Sequence, residues 1–177
     1  TEVLVNVHHF ADQIIDAINT NHGWGSTVTI SDETDAVLET GGGLKKAAWY
    51  FGNETSFLLI NADILTNLDL DALVAQHTNT GALATLAVSI RESSRYFLFD
   101  AAGKLCGWKN QNTGEYKPGH LNDSNTEHLQ AKAFSGIQVI DTKLLAVTSV
   151  TVMSGALLPK PLIFERRSGF RVVPSPL

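Results

Sequence analysis

Two stretches of this sequence could do chemistry. Leu58-Leu-Ile-Asn-Ala-Asp63 is an apolar run that ends in a carboxylate, and Leu38-Glu-Thr-Gly-Gly-Gly-Leu-Lys-Lys-Ala47 comes shortly before it. Open α/β sheets bind ligands beyond the carboxyl ends of their strands, beside a glycine turn that opens a helix, so the pair reads as a nucleotide site. Magnesium takes oxygen ligands, commonly one or two carboxylates with phosphate oxygens, and Asp63 at a strand end is placed to hold a metal-bound nucleotide. Alone, Asp63 would read almost as well as the cap of the next turn. Gly41, Gly42 and Gly43 permit φ values closed to other residues and let backbone N–H groups approach a base, a ribose or a phosphate. Without a ligand they would read as a flexible turn and helix cap.

The other candidates are weaker. Lys45 and Lys46 follow the glycines without Walker spacing, and no Gly-x-Gly-x-x-Gly run occurs. His8 and His9 point to opposite faces of a strand and have no His or Cys partner at ligand spacing, which favours capping or packing over zinc. His22, His77, His120 and His128 are scattered and expected to face solvent. Ser135-Gly136 lacks the nucleophile-elbow pattern, which argues against a hydrolase. Lys109 could reach a phosphate or sugar acid, or simply be solvated, and Trp108 beside it reads as packing.

Composition bounds the partners. With 177 residues, 44% hydrophobic and 18% charged, the chain reads as one globular domain. A net charge of -5 and a pI near 5.6 argue against nucleic-acid binding. The single Cys106 cannot form an internal disulfide and reads as a small core residue in a reducing compartment. The amino terminus lacks a signal-peptide pattern, and the apolar stretch 144–164 is interrupted by Gly155, Pro159, Lys160 and Pro161. A cytoplasmic protein that does not engage membranes is expected.

These residues need a frame. Val3–Val7 reads as a strand, and Phe10, Ile14, Ile15 and Ile18 fall on one face of a helix behind it. Thr27–Ile30 reads as a strand, and Leu44, Ala47, Ala48 and Phe51 recur at helical spacing after the glycines. Phe57–Ile60 reads as a central parallel strand buried on both faces. Asp69 is placed to cap a helix ending near Gly81, with Leu68 and Leu73 as a hydrophobic staple and Leu70, Leu73 and Val74 as its apolar face. Leu83–Ile90 reads as a strand, 96–99 and 104–108 as a hairpin about Asp100–Gly103, 110–127 as a surface loop, and Ala131–Ile140 as a strand interrupted by Gly136. Beyond about Leu145 only Val147–Val152 is strand-like.

The ordered segments Val5-Asn-Val-His-His-Phe-Ala-Asp-Gln-Ile14, Ile30-Ser-Asp-Glu33, Leu38 to Ala47, Asn61-Ala-Asp63, Leu83-Ala-Thr-Leu86, Arg91-Glu-Ser-Ser-Arg-Tyr96 and Phe134-Ser-Gly-Ile137 resemble the sugar-phosphate nucleotidyltransferase family. Within it the chain resembles mannose-1-phosphate guanylyltransferase-like proteins, with muramate-1-phosphate uridylyltransferases as near relatives. The resemblance implies a Rossmann-like α/β fold of nucleotide-diphospho-sugar transferase type: three layers, α/β/α, with a mixed, mostly parallel sheet lacking its first strand. It covers 1–145 as a partial nucleotidyltransferase domain, leaving 146–177 as a divergent, proline-rich basic tail.

The implied reaction moves a nucleoside monophosphate from GTP or UTP to a sugar 1-phosphate, with Mg2+ and release of pyrophosphate. By resemblance Asp63 is the metal-binding catalytic aspartate. Glu39, Thr40, Gly41, Gly42, Gly43 and Asn61 hold the nucleotide, and Lys109 and Gly136 lie by the sugar phosphate. Lys109 departs from the family's Glu-Lys-Pro hairpin signature. The family's Gly-Thr-Arg loop and second metal aspartate have no counterpart, which implies an incomplete, weakly active or inactive enzyme. The alternative is a non-catalytic nucleotide-binding module or regulatory subunit, and a sheet without its first strand has an exposed edge open to self-association.

Overall fold

The computed structural model describes residues 1–35, 38–118, 128–147 and 161–165. They fall into two compact units, Thr1–Asn53 and Glu54–Val147 with residues 161–165.

In the first unit, β1 (Glu2–Val7) and β2 (Thr27–Asp32) form a parallel pair in register from Glu2↔Thr27 to Val7↔Asp32. The crossover between them carries α1 (Ala11–Thr20), whose Ile15 and Ile18 are half-buried. Phe10 and Ile14, on the same stripe, stay exposed at 64% and 37%. Phe10 starts the helix at φ 55 with no side-chain cap. After α1, His22, Gly23, Trp24 and Gly25 have φ of 50, 61, 50 and 81, a left-handed turn that halts the helical pattern at its two glycines.

α2 (Glu39–Lys46) follows and runs on through a 3-10 turn, Ala47–Phe51. The expected glycine turn before this helix is corrected here: Gly41, Gly42 and Gly43 lie inside α2 and none has positive φ. At Gly43 the requirement is for closeness, not for a special φ. A Cβ there would fall 2.6 Å from Asn6 Nδ2 and 2.6 Å from Glu33 Oε1.

The second unit is built on one mixed sheet. Its strands are β3 (Ser56–Ile60), β4 (Ala84–Ser89), β5 (Arg95–Phe99), β6 (Leu105–Asn110), β7 (Tyr116–Pro118), β8 (Gln130–Asp141) and β9 (Pro161–Glu165). β4 lies along one edge of β8, while β3 and β5 succeed each other along the other. β3, β4, β5, β7 and β9 run one way and β6 and β8 the other. The sheet is mixed, as expected, but its pairing is mostly antiparallel rather than mostly parallel: among the described residues only β4 and β9 pair parallel in it.

Two strand readings are corrected. The strand buried on both faces is β4, which has β8 on one edge and β9 on the other. β3 pairs antiparallel with β8 alone among the described residues, and its side chains are half-buried or exposed. Continuous apolar character does not reveal how many neighbours a strand has. The loop read at 110–127 contains β7, which extends the hairpin of β5 and β6. β9 lies inside the segment read as a tail, and its opening Pro161 sits where a missing N–H is tolerated. The strand expected at 147–152 lies outside the described residues from 148 on.

α3 (Leu70–Thr80) has the ends its sequence implies, but of the expected apolar face Val74 is exposed at 37%. Asp69 Oδ1 accepts from Ala72 N at 2.9 Å, and Gly81 closes the helix at φ 59. Leu73 is fully buried with Ala87, Ile137 and Val139, and Leu58, Ile64, Leu68 and Leu70 pack around them. A second cluster, Leu86, Val88, Phe99 and Leu105, joins the hairpin to β4. α4 (Lys143–Val147) follows β8. Among the described residues no helix is long and apolar enough to cross a membrane.

Candidate functional site

The second unit brings Asn61, Asp63 and Gly136 together. Where β3 ends, Asn61 N–H donates to Gly136 O at 2.9 Å, and Ile64 N–H returns to Asn61 O at 3.1 Å. The result is a tight turn with Asp63 on it, held against β8. Gly136 makes room for this turn. Its φ is +75, and a Cβ there would lie 2.8 Å from Ile64 Cγ1 and 3.2 Å from Asn61 Nδ2. Both the left-handed backbone and the close approach demand glycine.

Asp63 is exposed, and its carboxylate has no hydrogen-bond partner among the described residues. It does not cap the following turn: Thr66 Oγ1 accepts from Leu68 N, and Asp69 caps α3. Among the described residues nothing occupies the lone pairs of the Asp63 carboxylate. No group of three His, Cys, Asp or Glu side chains that could hold a metal occurs among the described residues. One free carboxylate suits Mg2+ that arrives with phosphate oxygens and water, since Mg2+ often takes only one or two protein carboxylates.

The first unit holds Glu39, Thr40, Gly41, Gly42 and Gly43 on α2. Gly41, Gly42 and Gly43 are buried, and Gly42 N–H donates to Leu38 O at 3.1 Å. The strand ends beneath are tied to one another. Asn6 Nδ2 donates to Glu33 Oε1 at 2.8 Å, and His8 Nδ1–H meets Glu33 O at 2.7 Å. Lys46 Nζ donates to Asp32 O. Thr34 N–H donates to Asp32 Oδ1 at 2.8 Å and holds that carboxyl below its ordinary pKa.

Glu33, only 4% exposed, was missed by functional reading of the sequence. The signal was an acidic residue directly after a strand, inside a segment that reads merely as polar. His8 and His9 behave as packing residues: His8 binds the Glu33 carbonyl, and the His9 ring stands edge-on to Phe10 at 4.3 Å.

Lys109 is exposed on β6 opposite Tyr96 and Tyr116, and shares no hydrogen bond with Asn61, Asp63 or Gly136. Its neighbour Trp108 packs under Lys117, whose Nζ lies 5.1 Å from the ring centroid. Cys106 is buried, as expected, with Sγ 3.3 Å from Lys104 O.

His77 is a further correction, since it is buried and its Nδ1 lies 3.0 Å from Thr85 Oγ1. Burial pushes its pKa below the ordinary value, partly offset by Asp141. His120 lies outside the described residues.

Comparison with known proteins gives these features a context. No family model matches the chain. It is 35% identical over 72 residues to the N-acetylmuramate alpha-1-phosphate uridylyltransferase of Neisseria meningitidis serogroup B, a match spanning 41% of this chain and 31% of that protein. HddC from Yersinia pseudotuberculosis shares the fold at a TM-score of 0.63 and 17% identity, over 92% of this chain and 69% of that one. The same protein complexed with GMP-PN matches at 0.62 and 17% identity, over 91% and 68%. A putative glucose-1-phosphate thymidylyltransferase from Bacillus anthracis, in complex with a sucrose, gives 0.62 at 12% identity, over 94% and 67%.

Proposed function

We propose that the chain is related to the sugar-phosphate nucleotidyltransferases and serves the transfer of a nucleoside monophosphate from GTP or UTP to a sugar 1-phosphate, a reading supported by its likeness to such proteins. The observation that carries this reading is the exposed Asp63 carboxylate, without a hydrogen-bond partner among the described residues, on the turn that the Asn61–Gly136 backbone hydrogen bond holds at the end of β3. A nucleotide ligand is supported by the relative bound to GMP-PN. A sugar 1-phosphate acceptor is supported by the names of the uridylyltransferase and the thymidylyltransferase.

In this reaction an oxygen of the sugar phosphate attacks the α-phosphorus of the triphosphate. The new O–P bond forms as the bond from the α-phosphorus to the bridging oxygen breaks, and pyrophosphate leaves with that electron pair. The attacking oxygen is already anionic, so the protein must position and neutralise more than it must move protons. Bound Mg2+ would neutralise charge on the phosphate oxygens, and Asp63 is the residue to hold it. In our reading the nucleotide-binding residues are Glu39, Thr40 and Gly41–Gly43 in the first unit and Asn61 in the second. Gly136 and Lys109 are assigned to the sugar phosphate. The cytoplasm, where both substrates are at hand, is the proposed location.

The test is release of pyrophosphate on mixing the chain, Mg2+, each nucleoside triphosphate and a panel of sugar 1-phosphates. Release with GTP or UTP that needs both substrates, and that Asp63→Asn abolishes, is the expected result. Binding without turnover would favour the second reading, a nucleotide-binding module or regulatory subunit, for which the lone carboxylate at the β3 end speaks. No binding of any nucleotide would overturn both. The edge of β3 that lacks a partner among the described residues supports self-association there.

A further inference from the structure

We propose that Glu33, acting through Asn6, is the positioning residue of the glycine helix. It locks the inner face of α2 against the ends of β1 and β2, so that the helix meets a nucleotide in a fixed pose. The inference rests on the nucleotide-binding reading of α2 given above.

Glu33 is held at three points. Its N–H donates to Val7 O at 2.8 Å, its carbonyl meets His8 Nδ1 at 2.7 Å, and its Oε1 accepts from Asn6 Nδ2 at 2.8 Å. The first ties it to β1, the second to the residue after β1, and the third sets the side chain. Glu33 is buried, and a buried carboxylate keeps its place only where the surroundings compensate for lost water. Here the compensation includes an amide donor from β1.

Gly43 completes the arrangement from the other side. The Asn6–Glu33 pair lies where a Cβ at position 43 would be, 2.6 Å from each of the two polar atoms. Gly43 does not use the left-handed region open to glycine. A glycine in a helix interior weakens it, so its presence calls for a packing reason, and the pair provides one. The helix therefore lies directly on a hydrogen-bonded amide–carboxylate pair, and the pair sets the height and rotation of the segment assigned to the nucleotide.

The experiment uses the full chain and two readouts, hydrogen exchange of the α2 amides and the affinity for Mg2+ with GTP and UTP by calorimetry. Glu33→Ala is expected to speed α2 exchange and weaken nucleotide binding, each by about tenfold. Glu33→Gln keeps an acceptor for Asn6 and is expected to restore both to within about threefold of wild type. Asn6→Ala, which removes the donor but leaves the carboxylate, should follow Glu33→Ala and serves if that variant fails to fold. Exchange in α2 at the wild-type rate in both Glu33→Ala and Asn6→Ala would overturn the positioning role even if nucleotide binds. Wild-type protein that binds neither nucleotide would overturn the nucleotide reading instead, while faster α2 exchange alone would leave the lock a purely structural one and overturn its role in binding.

Discussion

α1 and α3 are similar in length, ten and eleven residues, and both carry an apolar stripe, yet they are used differently. α3 starts on the Asp69 cap, ends on Gly81 and buries Leu73 completely among β4 and β8 side chains. α1 starts on an uncapped left-handed Phe10, and of its stripe only Ile15 and Ile18 are half-buried. The periodicity of a helix says which face is apolar. Whether that face is covered depends on what the rest of the unit offers: each helix leaves a stripe residue exposed, Ile14 on α1 and Val74 on α3, but only α3 buries one completely, Leu73.

This difference can be broken most sharply in the core. Leu73→Ala is expected to cost about 2–5 kcal/mol, because it opens a cavity among Ala87, Ile137 and Val139. Ile14→Ala on α1 should cost less than about 0.5 kcal/mol. Urea unfolding followed by circular dichroism measures both, and equal losses would remove the distinction.

A smaller but still large effect is expected at Gly136. Its substitution by Ala forces a Cβ into a backbone at φ +75 and to within 2.8 Å of Ile64. The left-handed backbone alone costs roughly 1–2 kcal/mol. Gly43→Ala meets two polar atoms at ordinary φ instead, so Glu33→Ala should relieve part of its cost, whereas no neighbouring truncation relieves the left-handed backbone at Gly136. A double-mutant cycle for Gly43 and Glu33 measures that coupling; strict additivity would contradict the contact.

Removing the α3 cap by Asp69→Ala should cost about 1 kcal/mol. No equivalent change at Phe10 should cost as much, since no side-chain cap bond exists there to lose.

The mildest effect is expected from pH. The folded pKa of His77 lies below its unfolded value because burial opposes the charged ring. Folding therefore disfavours proton uptake, and stability should fall as pH drops below the ordinary histidine range near ~6.5. His77→Gln should flatten that part of the stability-versus-pH curve; an unchanged slope would show that the burial has no titration consequence.

The second unit was largely legible in the sequence, because its signals are local. The Asp69 cap, the Gly81 stop and the Asp100–Gly103 turn each announce an element through residues a few positions apart, and Asp100 Oδ1 indeed accepts from both Ala102 N and Lys104 N. The turn bearing Asp63 could be placed at a strand end for the same reason. What escaped depended on distant parts of the chain. β3 and β4 are both apolar runs, and only the pairing of β4 with β8 and β9 makes one of them central. The three glycines suggested a turn because glycine usually marks positive φ, whereas Gly43 is shaped by Asn6 and Glu33, far away in sequence. His77 looked like one of several scattered histidines until the fold set it against Thr85.

The central claim is that Asp63, free at the end of β3, takes the metal of a metal–nucleotide complex. Calorimetry of GTP and UTP binding, with and without Mg2+, to wild-type chain and to Asp63→Asn tests it most directly. The account predicts that Mg2+ strengthens binding to the wild type, and that Asp63→Asn loses this enhancement, about tenfold or more, while keeping its weak Mg2+-independent binding. Equal Mg2+ enhancement in both proteins, or no binding to the wild type at millimolar nucleotide, would contradict it.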